Sequence, residues 1–282
     1  MTITISTATF EEMDFIMNMA KEEGWNPGIY DKETFYAADP NGFFIAKKSN
    51  DQPIGCVSAV KYGNNYGFIG LYIVLPEYRK KGYGQQLREV TFNYLKGYTL
   101  GGDVVPTNQK AALRQNSKYA YANKRFEGIA QKTNYNIPLQ IKTLNQIPFK
   151  ELLKYDTKIF GAARENFLSK WITQPESFSY TYLDNKGEIN GYGLLRKCYK
   201  GYKIGPLFAE NIEIADSIYQ SLMTNIIGES FYFDIPLINK EAVKIVERYN
   251  LKPVFDTARM YIGTPPKANI NHTFGITTFE LG

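Results

Sequence analysis

The stretch IGLYIVLPEYRKKGYGQQL, residues 69–87, decides the fold of this chain. Its first part is β-branched and aromatic, which predicts a strand that ends in a turn at Pro76. The first amides of the helix predicted to follow lack internal partners and lie at the positive end of its dipole. The pattern therefore indicates a phosphate or pyrophosphate site, and a glycine-bent turn with a solvated basic face is the alternative. Cations and glycines meet where that helix begins: Arg79, Lys80, Lys81, Gly82, Gly84.

The spacing within this loop separates it from other phosphate-binding motifs. No Gly-Lys-Ser/Thr follows the glycines, which excludes a nucleotide-triphosphatase P-loop, and no Gly-x-Gly-x-x-Gly supports a dinucleotide site. The motif Arg-x-x-Gly-x-Gly, from Arg79 to Gly84, follows a Val-x-Pro strand end. It resembles the acetyl-CoA loop of the GNAT acyltransferase superfamily, whose pattern is Gln/Arg-x-x-Gly-x-Gly/Ala.

The length, composition and charge of the chain narrow the class of protein. Its 282 residues suffice for one large domain or two ordinary ones, and 44% hydrophobic residues exclude a disordered chain. A net charge of +5, without basic residues clustered among aromatic ones, suits an anionic small molecule better than nucleic acid. No segment reads as a signal peptide or membrane span, so we expect a soluble cytoplasmic protein without nucleic-acid or membrane partners.

Cysteine and histidine are scarce in this chain. Cys56 and Cys198 lie far apart within predicted strands, which indicates two buried, reduced thiols. The only histidine, His272, excludes a multi-histidine metal site, and we predict no metal. A Ser-His or Cys-His triad would require His272 as its base, and its position in a late, polar stretch argues against that role.

Secondary-structure signals follow one order twice, β α α β β β α β α β. A polar, proline-marked stretch separates the two series, and we predict domains at residues 1–134 and 135–282. In the first series the predicted strands and helices are Thr2–Ser6, Met13–Ala20, Asp31–Ala38, Gly42–Lys48, Ile54–Tyr62, the strand and helix of residues 69–96, Tyr98–Val105, Thr107–Gln115 and Tyr119–Phe126. In the second they are Leu139–Thr143, Phe149–Tyr155, Arg164–Trp171, Phe178–Leu183, Ile189–Cys198, Tyr202–Leu207, Ile212–Ile226, Phe231–Ile235, Lys240–Arg248 and Val254–Ile262.

Residue spacing within the two series indicates a duplicated fold. Asp103 and Asn108 are spaced like Asp234 and Asn239, and Arg125 and Gly128 parallel Arg259 and Gly263 with one residue of difference. The copies differ at the anion loop, where the second series has three carboxylates and neither glycine nor lysine: Glu210, Glu213, Asp216. Such a loop repels pyrophosphate, so we expect the second domain to bind no nucleotide-type cofactor there and to help form the acceptor site.

The whole chain resembles a family of two-domain bacterial GNAT proteins that includes the holothin acyltransferase. The resemblance implies an α/β (α+β) fold with tandem GNAT-like domains, each a mixed, mostly antiparallel sheet flanked by helices. It implies an N-acetyltransferase (a transferase and acyltransferase acting on an amino group) that uses acetyl-CoA. The expected acceptor is a small-molecule amine, with a peptide or protein amine as the alternative, and the oligomeric state is left open. A catalytically inactive CoA-binding regulatory or sensor protein is the alternative function.

The resemblance also assigns cofactor-binding residues by motif position. Ile73, Val74 and Leu75 are expected to offer backbone groups to pantetheine and the acyl carbonyl. Asn108 is either a cofactor contact or an ordinary residue at the start of a helix. The pyrophosphate is expected on the main-chain amides of the loop, with Arg79 nearby: Lys80, Lys81, Gly82, Tyr83, Gly84, Gln85.

The catalytic acid and base are less clearly marked. Many relatives carry a glutamate on the strand before the loop, but Tyr66–Leu75 has no carboxylate. Asp103 is the candidate base, and a helix cap or loop anchor is its alternative role. Many relatives have a tyrosine acid four residues before a Gly-Phe pair; if Lys118-Tyr119 occupies the place of that pair, the matching residue here is Arg114. Tyr119 or Tyr121 is then the candidate acid, and simple packing in a tyrosine-rich strand is the alternative.

Overall fold

A computed structural model describes residues 3–282, so Thr2 of the first predicted strand lies outside the described residues. The element order follows the two predicted series, and a short last strand is added near residue 274. The strands are β1 Ile3–Thr7, β2 Phe43–Lys48, β3 Pro53–Tyr62, β4 Tyr66–Val74, β5 Thr99–Val104, β6 Lys118–Ile129, β7 Ile141–Thr143, β8 Ser177–Leu183, β9 Ile189–Lys197, β10 Tyr202–Ala209, β11 Ser230–Pro236, β12 Lys252–Ile262 and β13 Thr273–Gly275. The helices are α1 Met13–Glu22, α2 Asp31–Ala38, α3 Tyr83–Tyr94, α4 Pro106–Leu113, α5 Phe149–Phe160, α6 Glu165–Trp171, α7 Ile212–Met223 and α8 Lys240–Arg248.

Helix α5 differs most from its predicted length. It continues to Phe160, whereas the sequence prediction ended it at Tyr155. The added turn keeps the apolar stripe, because Ile159 and Phe160 are buried, and Gly161 ends the helix in the left-handed region at φ 89°. Glycine adopts that conformation without a Cβ penalty, so the C-terminal signal lies at Gly161.

The strands form one continuous sheet in the order β1-β2-β3-β4-β5-β12-β6-β11-β10-β9-β8-β7, with β13 paired to β10. The parallel pairs are β4 with β5 and β10 with β11, and the other pairs along this path are antiparallel. Helix α3 makes the crossover between β4 and β5, as expected of a parallel neighbour. The predicted strand-helix-strand unit around the anion loop is therefore confirmed.

The two halves exchange their last long strands. Strand β12 lies between β5 and β6, and β6 pairs on its other side with β11 of the second half. Arg259 on β12 lies opposite Asp103 on β5, and Asp234 on β11 lies opposite Arg125 on β6. A single buried cluster also joins side chains of both halves, including Phe68, Trp171 and Leu281. The domain boundary near residue 134 stays a prediction.

Strands β4 and β5 separate halfway along their length. Their pairing ends at Ile69 and Gly102, and the residues that follow on each strand diverge. On the other side of β4, the register against β3 shifts so that Leu71 and Tyr72 oppose the single residue Val57. Leu71 has φ 46°, which marks a bulge that redirects the strand. The bulge and the separation together open a cleft beside β4.

Charged side chains are buried in four arginine–aspartate pairs within the sheet and its helices. The aspartate side chains are at most 1% exposed and the arginines at most 7%. Each pair uses two nitrogens of the guanidinium, a geometry that satisfies both charges. The pairs are Arg125–Asp234, Arg164–Asp156, Arg196–Asp31 and Arg259–Asp103.

Among residues 3–282, no helix is both long and apolar enough to cross a bilayer.

Candidate active site

A cavity of about 370 Å³ lies where β4 and β5 separate. Gly70, Leu71 and Tyr72 line it from β4, and residues 100–105 line it from β5 and the turn after it. Helices α3 and α4 cover one side. The second half supplies another side through β12 and through Phe279 and Glu280. The cavity is therefore formed by both halves of the chain.

The loop before α3 presents unpaired main-chain amides. Among residues 3–282, no hydrogen-bond acceptor meets the amides of residues 80–85, and α3 has no side-chain cap. Lys80 and Gly82 have φ of 62° and 84°, so the backbone alternates between conformations as it does in anion-binding nests. The side chains of Lys80 and Lys81 are exposed beside these amides. Donor groups and positive charge here fit a pyrophosphate.

Arg79 holds the loop against the strand that precedes it. Its Nε donates to the carbonyl oxygen of Val74 at 2.8 Å, and its guanidinium pairs with Glu23 of α1. Arg79 therefore fixes the end of β4, and the lysines supply the free charge. Tyr72 lies at the same place, because a Cβ on Gly84 would be 2.5 Å from its hydroxyl oxygen.

The corresponding helix of the second half, α7, has a closed N-terminus. The side chain of Asn211 accepts a hydrogen bond from the amide of Ile214 at 2.9 Å. Glu210 pairs with Lys158 at 3.0 Å and lies 3.3 Å from His272. A capped helix end flanked by carboxylates is a poor site for an anion.

Asp103 lines the cavity but is fully engaged. Its carboxylate accepts two hydrogen bonds from Arg259, both 2.7 Å, and one from Asn123 at 2.7 Å. Burial alone would lower the pKa of Arg259, but the Asp103 carboxylate overcomes this effect and raises that pKa well above its ordinary value. The pair is therefore charged and joins the two halves of the chain across β5 and β12.

The other predicted site residues lie in different surroundings. Asn108, on α4, lines the cavity with Asp103, whereas Ile73, Val74, Leu75 and residues 79–85 lie outside its lining. Tyr119 is 57% exposed and also lies outside it. Tyr121 is half-buried next to Arg259 and Tyr261, and this burial raises its pKa. The structure thus places Asp103 and Asn108 in the cavity lining and leaves Tyr119 outside it.

Three carboxylates of the second half and one of the two tryptophans lie outside the cavity lining. Asp156 and Asp234 are buried in arginine pairs, and Glu165 begins α6, away from the cavity. Trp171 is buried and donates its indole hydrogen to the carbonyl of Gly205 at 2.9 Å. Trp25, in contrast, lines the cavity.

Sequence reasoning missed the cavity residues that lie far along the chain from the loop of residues 79–84. Arg125, Phe255, Phe279 and Glu280 converge there from the sheet and from the last residues of the chain. One signal was available, because Glu280 is the only charged residue in the apolar and hydroxylic run from Thr273 to Gly282. A buried acid in such a run is unusual.

Two family profiles and a curated relative match this chain. The family profile "Acetyltransferase (GNAT) family" matches residues 10–113, and "Acetyltransferase (GNAT) domain" matches residues 152–275. The holothin acyltransferase of Pseudoalteromonas sp. (strain SANK 73390) is 27% identical over 282 residues, which cover 100% of this chain and 95% of that protein.

Solved structures agree in fold. The structure of an acetyltransferase-like protein from Pyrococcus horikoshii superposes with a TM-score of 0.84 at 21% identity, and the match covers 99% of this chain and 96% of that one. A tandem GNAT protein from the clavulanic acid biosynthesis pathway superposes with a TM-score of 0.66 at 11% identity, covering 94% and 100%. The chain therefore belongs to the GNAT acyltransferases and carries two GNAT domains in tandem.

Proposed function

We propose that this chain transfers an acetyl group from acetyl-CoA to the amine of a small molecule. The observation that carries the proposal is the run of unpaired amides at residues 80–85, at the open end of α3 and beside exposed lysines. Main-chain donors at a helix N-terminus suit a pyrophosphate. When bound, acetyl-CoA supplies an activated thioester carbonyl for an amine to attack.

The loop and the cleft have separate roles in this proposal. Amides of Lys80 to Gln85 bind the pyrophosphate, and Arg79 keeps the end of β4 in place through the Val74 carbonyl. Ile73, Val74 and Leu75 offer main-chain groups to the pantetheine arm, which enters the cleft between β4 and β5. Asn108 lines this cleft. Tyr119 as the acid stays a prediction.

A small acceptor fits the size of the cavity. Its volume of about 370 Å³ lies at the low end of the range for small-ligand pockets, and the pantetheine arm would occupy part of it. Trp25, Phe255 and Phe279 make part of the lining aromatic. The relative named holothin acyltransferase supports an acceptor of small-molecule type.

The test is binding followed by turnover. Acetyl-CoA should raise the unfolding temperature of the purified chain, because a ligand that binds only the folded state stabilises it. Release of free thiol should then be measured against a panel of small amines, peptides and a protein substrate. No thermal shift with acetyl-CoA would refute the proposal. Binding without turnover on any amine class would favour a CoA-binding sensor instead.

A further inference from the structure

The segment of residues 276–282 runs through the interior between the two halves. A Cβ on Gly70 of β4 would overlap the carbonyl of Glu280, and a Cβ on Gly205 of β10 would overlap the carbonyl of Thr277. Tyr62 donates to the carbonyl of Leu281 at 3.0 Å. Two glycines from different halves thus leave room for this segment, which is held as part of the core.

Glu280 stands apart from the other buried carboxylates. Asp31, Asp103, Asp156 and Asp234 each bind an arginine in a two-nitrogen pair. Glu280 is 3% exposed, yet no cation among residues 3–282 forms an ion pair with it. Its hydrogen-bond partner is the hydroxyl of Thr278. The charges of Arg125 and Lys203 act on Glu280 through space, but a buried carboxylate outside an ion pair is costly unless a ligand or a functional role requires it.

The position of Glu280 is the inner end of the cleft. Its backbone lies against Gly70, directly after the last β4–β5 pair at Ile69 and Gly102, and the residue lines the cavity. Five residue steps separate Gly70 on β4 from Leu75 just after it, roughly 17 Å at about 3.3 Å per residue. A linear arm anchored at the loop and laid along β4 therefore points its end toward Glu280.

We propose that Glu280 is the general base that deprotonates the acceptor amine. The inference rests on the proposed function, because it needs an acyl thioester as the second reactant. The ammonium of the acceptor gives one proton to the Glu280 carboxylate, which leaves a lone pair on nitrogen. The nitrogen then bonds to the acyl carbon as the carbon–sulfur bond breaks. The nitrogen loses a second proton, one proton ends on the leaving thiolate, and the other passes from Glu280 to solvent.

Asp103 lines the same cavity but lacks the freedom that this role requires. Its oxygens accept hydrogen bonds from Arg259 and Asn123, so protonation would break a buried ion pair. The Glu280 carboxylate has a hydroxyl partner and no arginine. We therefore assign Asp103 to positioning of β5 and β12, and the proton to Glu280.

Glu280→Gln tests this assignment against Glu229→Gln, the same change at an exposed position just before β11. The glutamine keeps the size of the side chain but does not accept the proton. With basic alkylamines, Glu280→Gln should lower kcat/KM by about 10²- to 10⁴-fold, the usual contribution of a general base. Weakly basic amines, such as hydroxylamine, are already neutral near pH 7, and the loss with them should be less than about 10-fold. Glu229→Gln should match the parent protein with both.

Binding measurements separate this inference from the proposed function. Calorimetry on the cofactor-free protein should show that Glu280→Gln weakens binding of an ammonium acceptor and leaves its uncharged alcohol analogue unaffected. The acetyl-CoA thermal shift should persist in both variants. An equal loss of kcat/KM for basic and weakly basic amines, with unchanged ammonium binding, would overturn the role of Glu280. If the parent protein neither binds acetyl-CoA nor turns over any amine, the proposed function itself fails.

Discussion

Asp103 of the first half and Arg259 of the second half form a two-pronged ion pair across β5 and β12, with both N···O distances 2.7 Å. Arg125 and Asp234 repeat the pair across β6 and β11 with the halves exchanged, at 2.6 and 2.7 Å. The duplication therefore left each aspartate with an arginine from the other copy. Two buried pairs fasten the exchanged strands at equivalent positions.

The first prediction concerns the energetic coupling within this pair. Arg259→Gln or Asp103→Asn alone should lower the free energy of unfolding by about 3–5 kcal/mol, because each leaves a buried charge unpaired. The double variant should lose clearly less than the sum. Urea unfolding of the four proteins measures the coupling. The exposed pair Lys244–Glu241 is the control, and its cycle should give under about 1 kcal/mol. Additive losses at Asp103 and Arg259 would contradict the coupling.

The second prediction concerns the cofactor loop. Gly82→Asp should abolish acetyl-CoA binding, because it places a carboxylate among the amides of residues 80–85 and strains a left-handed residue at φ 84°. Gly187 is a matched control, since its φ is 83° and a Cβ there also meets nothing within 4 Å. It lies in the turn between β8 and β9.

Gly187→Asp should lower the free energy of unfolding by about 1–2 kcal/mol, as Gly82→Asp does, but it should keep full acetyl-CoA affinity. Calorimetry of acetyl-CoA binding and thermal unfolding of both variants separate strain from charge. Retained affinity in Gly82→Asp would remove the loop as the pyrophosphate site.

The third prediction concerns the contact between Gly70 and the segment of residues 276–282. Gly70→Ala should displace the Glu280 backbone, because the added methyl would overlap the main-chain carbonyl oxygen of Glu280. Unlike the end of a flexible side chain, this oxygen cannot rotate away. We expect a loss of about 1–3 kcal/mol in unfolding free energy, typical of overpacking, and lower turnover. The acetyl-CoA thermal shift should be retained, because the proposed pyrophosphate contacts at residues 80–85 do not involve Gly70. Unchanged stability and turnover in Gly70→Ala would show that residues 276–282 do not need this contact.

The fourth prediction concerns the thiols. Burial raises the pKa of both Cys56 and Cys198, and neither side chain is accessible. Because the thiolate is the reactive form, both should resist Ellman's reagent in the folded protein and react only on unfolding. Two equivalents released in denaturant and none in buffer is the expected result. A fast native reaction at either cysteine would contradict the burial, and it would also interfere with the thiol-release assay.

Most of the correct sequence predictions rest on patterns within a few residues of the chain. The β4–loop–α3 unit was predictable because glycines, cations and Pro76 each mark backbone geometry within a few residues. Helices α2 and α8 were predicted at their observed ends, Asp31–Ala38 and Lys240–Arg248. Turns and amphipathic stripes are properties of short windows, so a single sequence contains them.

Partners distant in sequence were not predictable in the same way. The pattern of residues 252–262 identifies a strand but does not say which strand lies beside it, so the insertion of β12 next to β5 could not be read from it. The sequence repeat did relate Asp103 to Asp234 and Arg125 to Arg259, but it did not indicate that each aspartate pairs with the other copy's arginine. Glu280 belongs to no motif, and only the fold brings it beside Gly70.

The exchange of β6 and β12 also sets when the enzyme can first exist. Strand β5 receives its second neighbour from residues 252–262, and the cavity is closed by residues 279 and 280. On the ribosome, the first half is complete in length well before either arrives. A nascent chain therefore carries the glycine loop of residues 79–84 before the cavity is closed, and the cavity is complete only once residues 279 and 280 have left the ribosome.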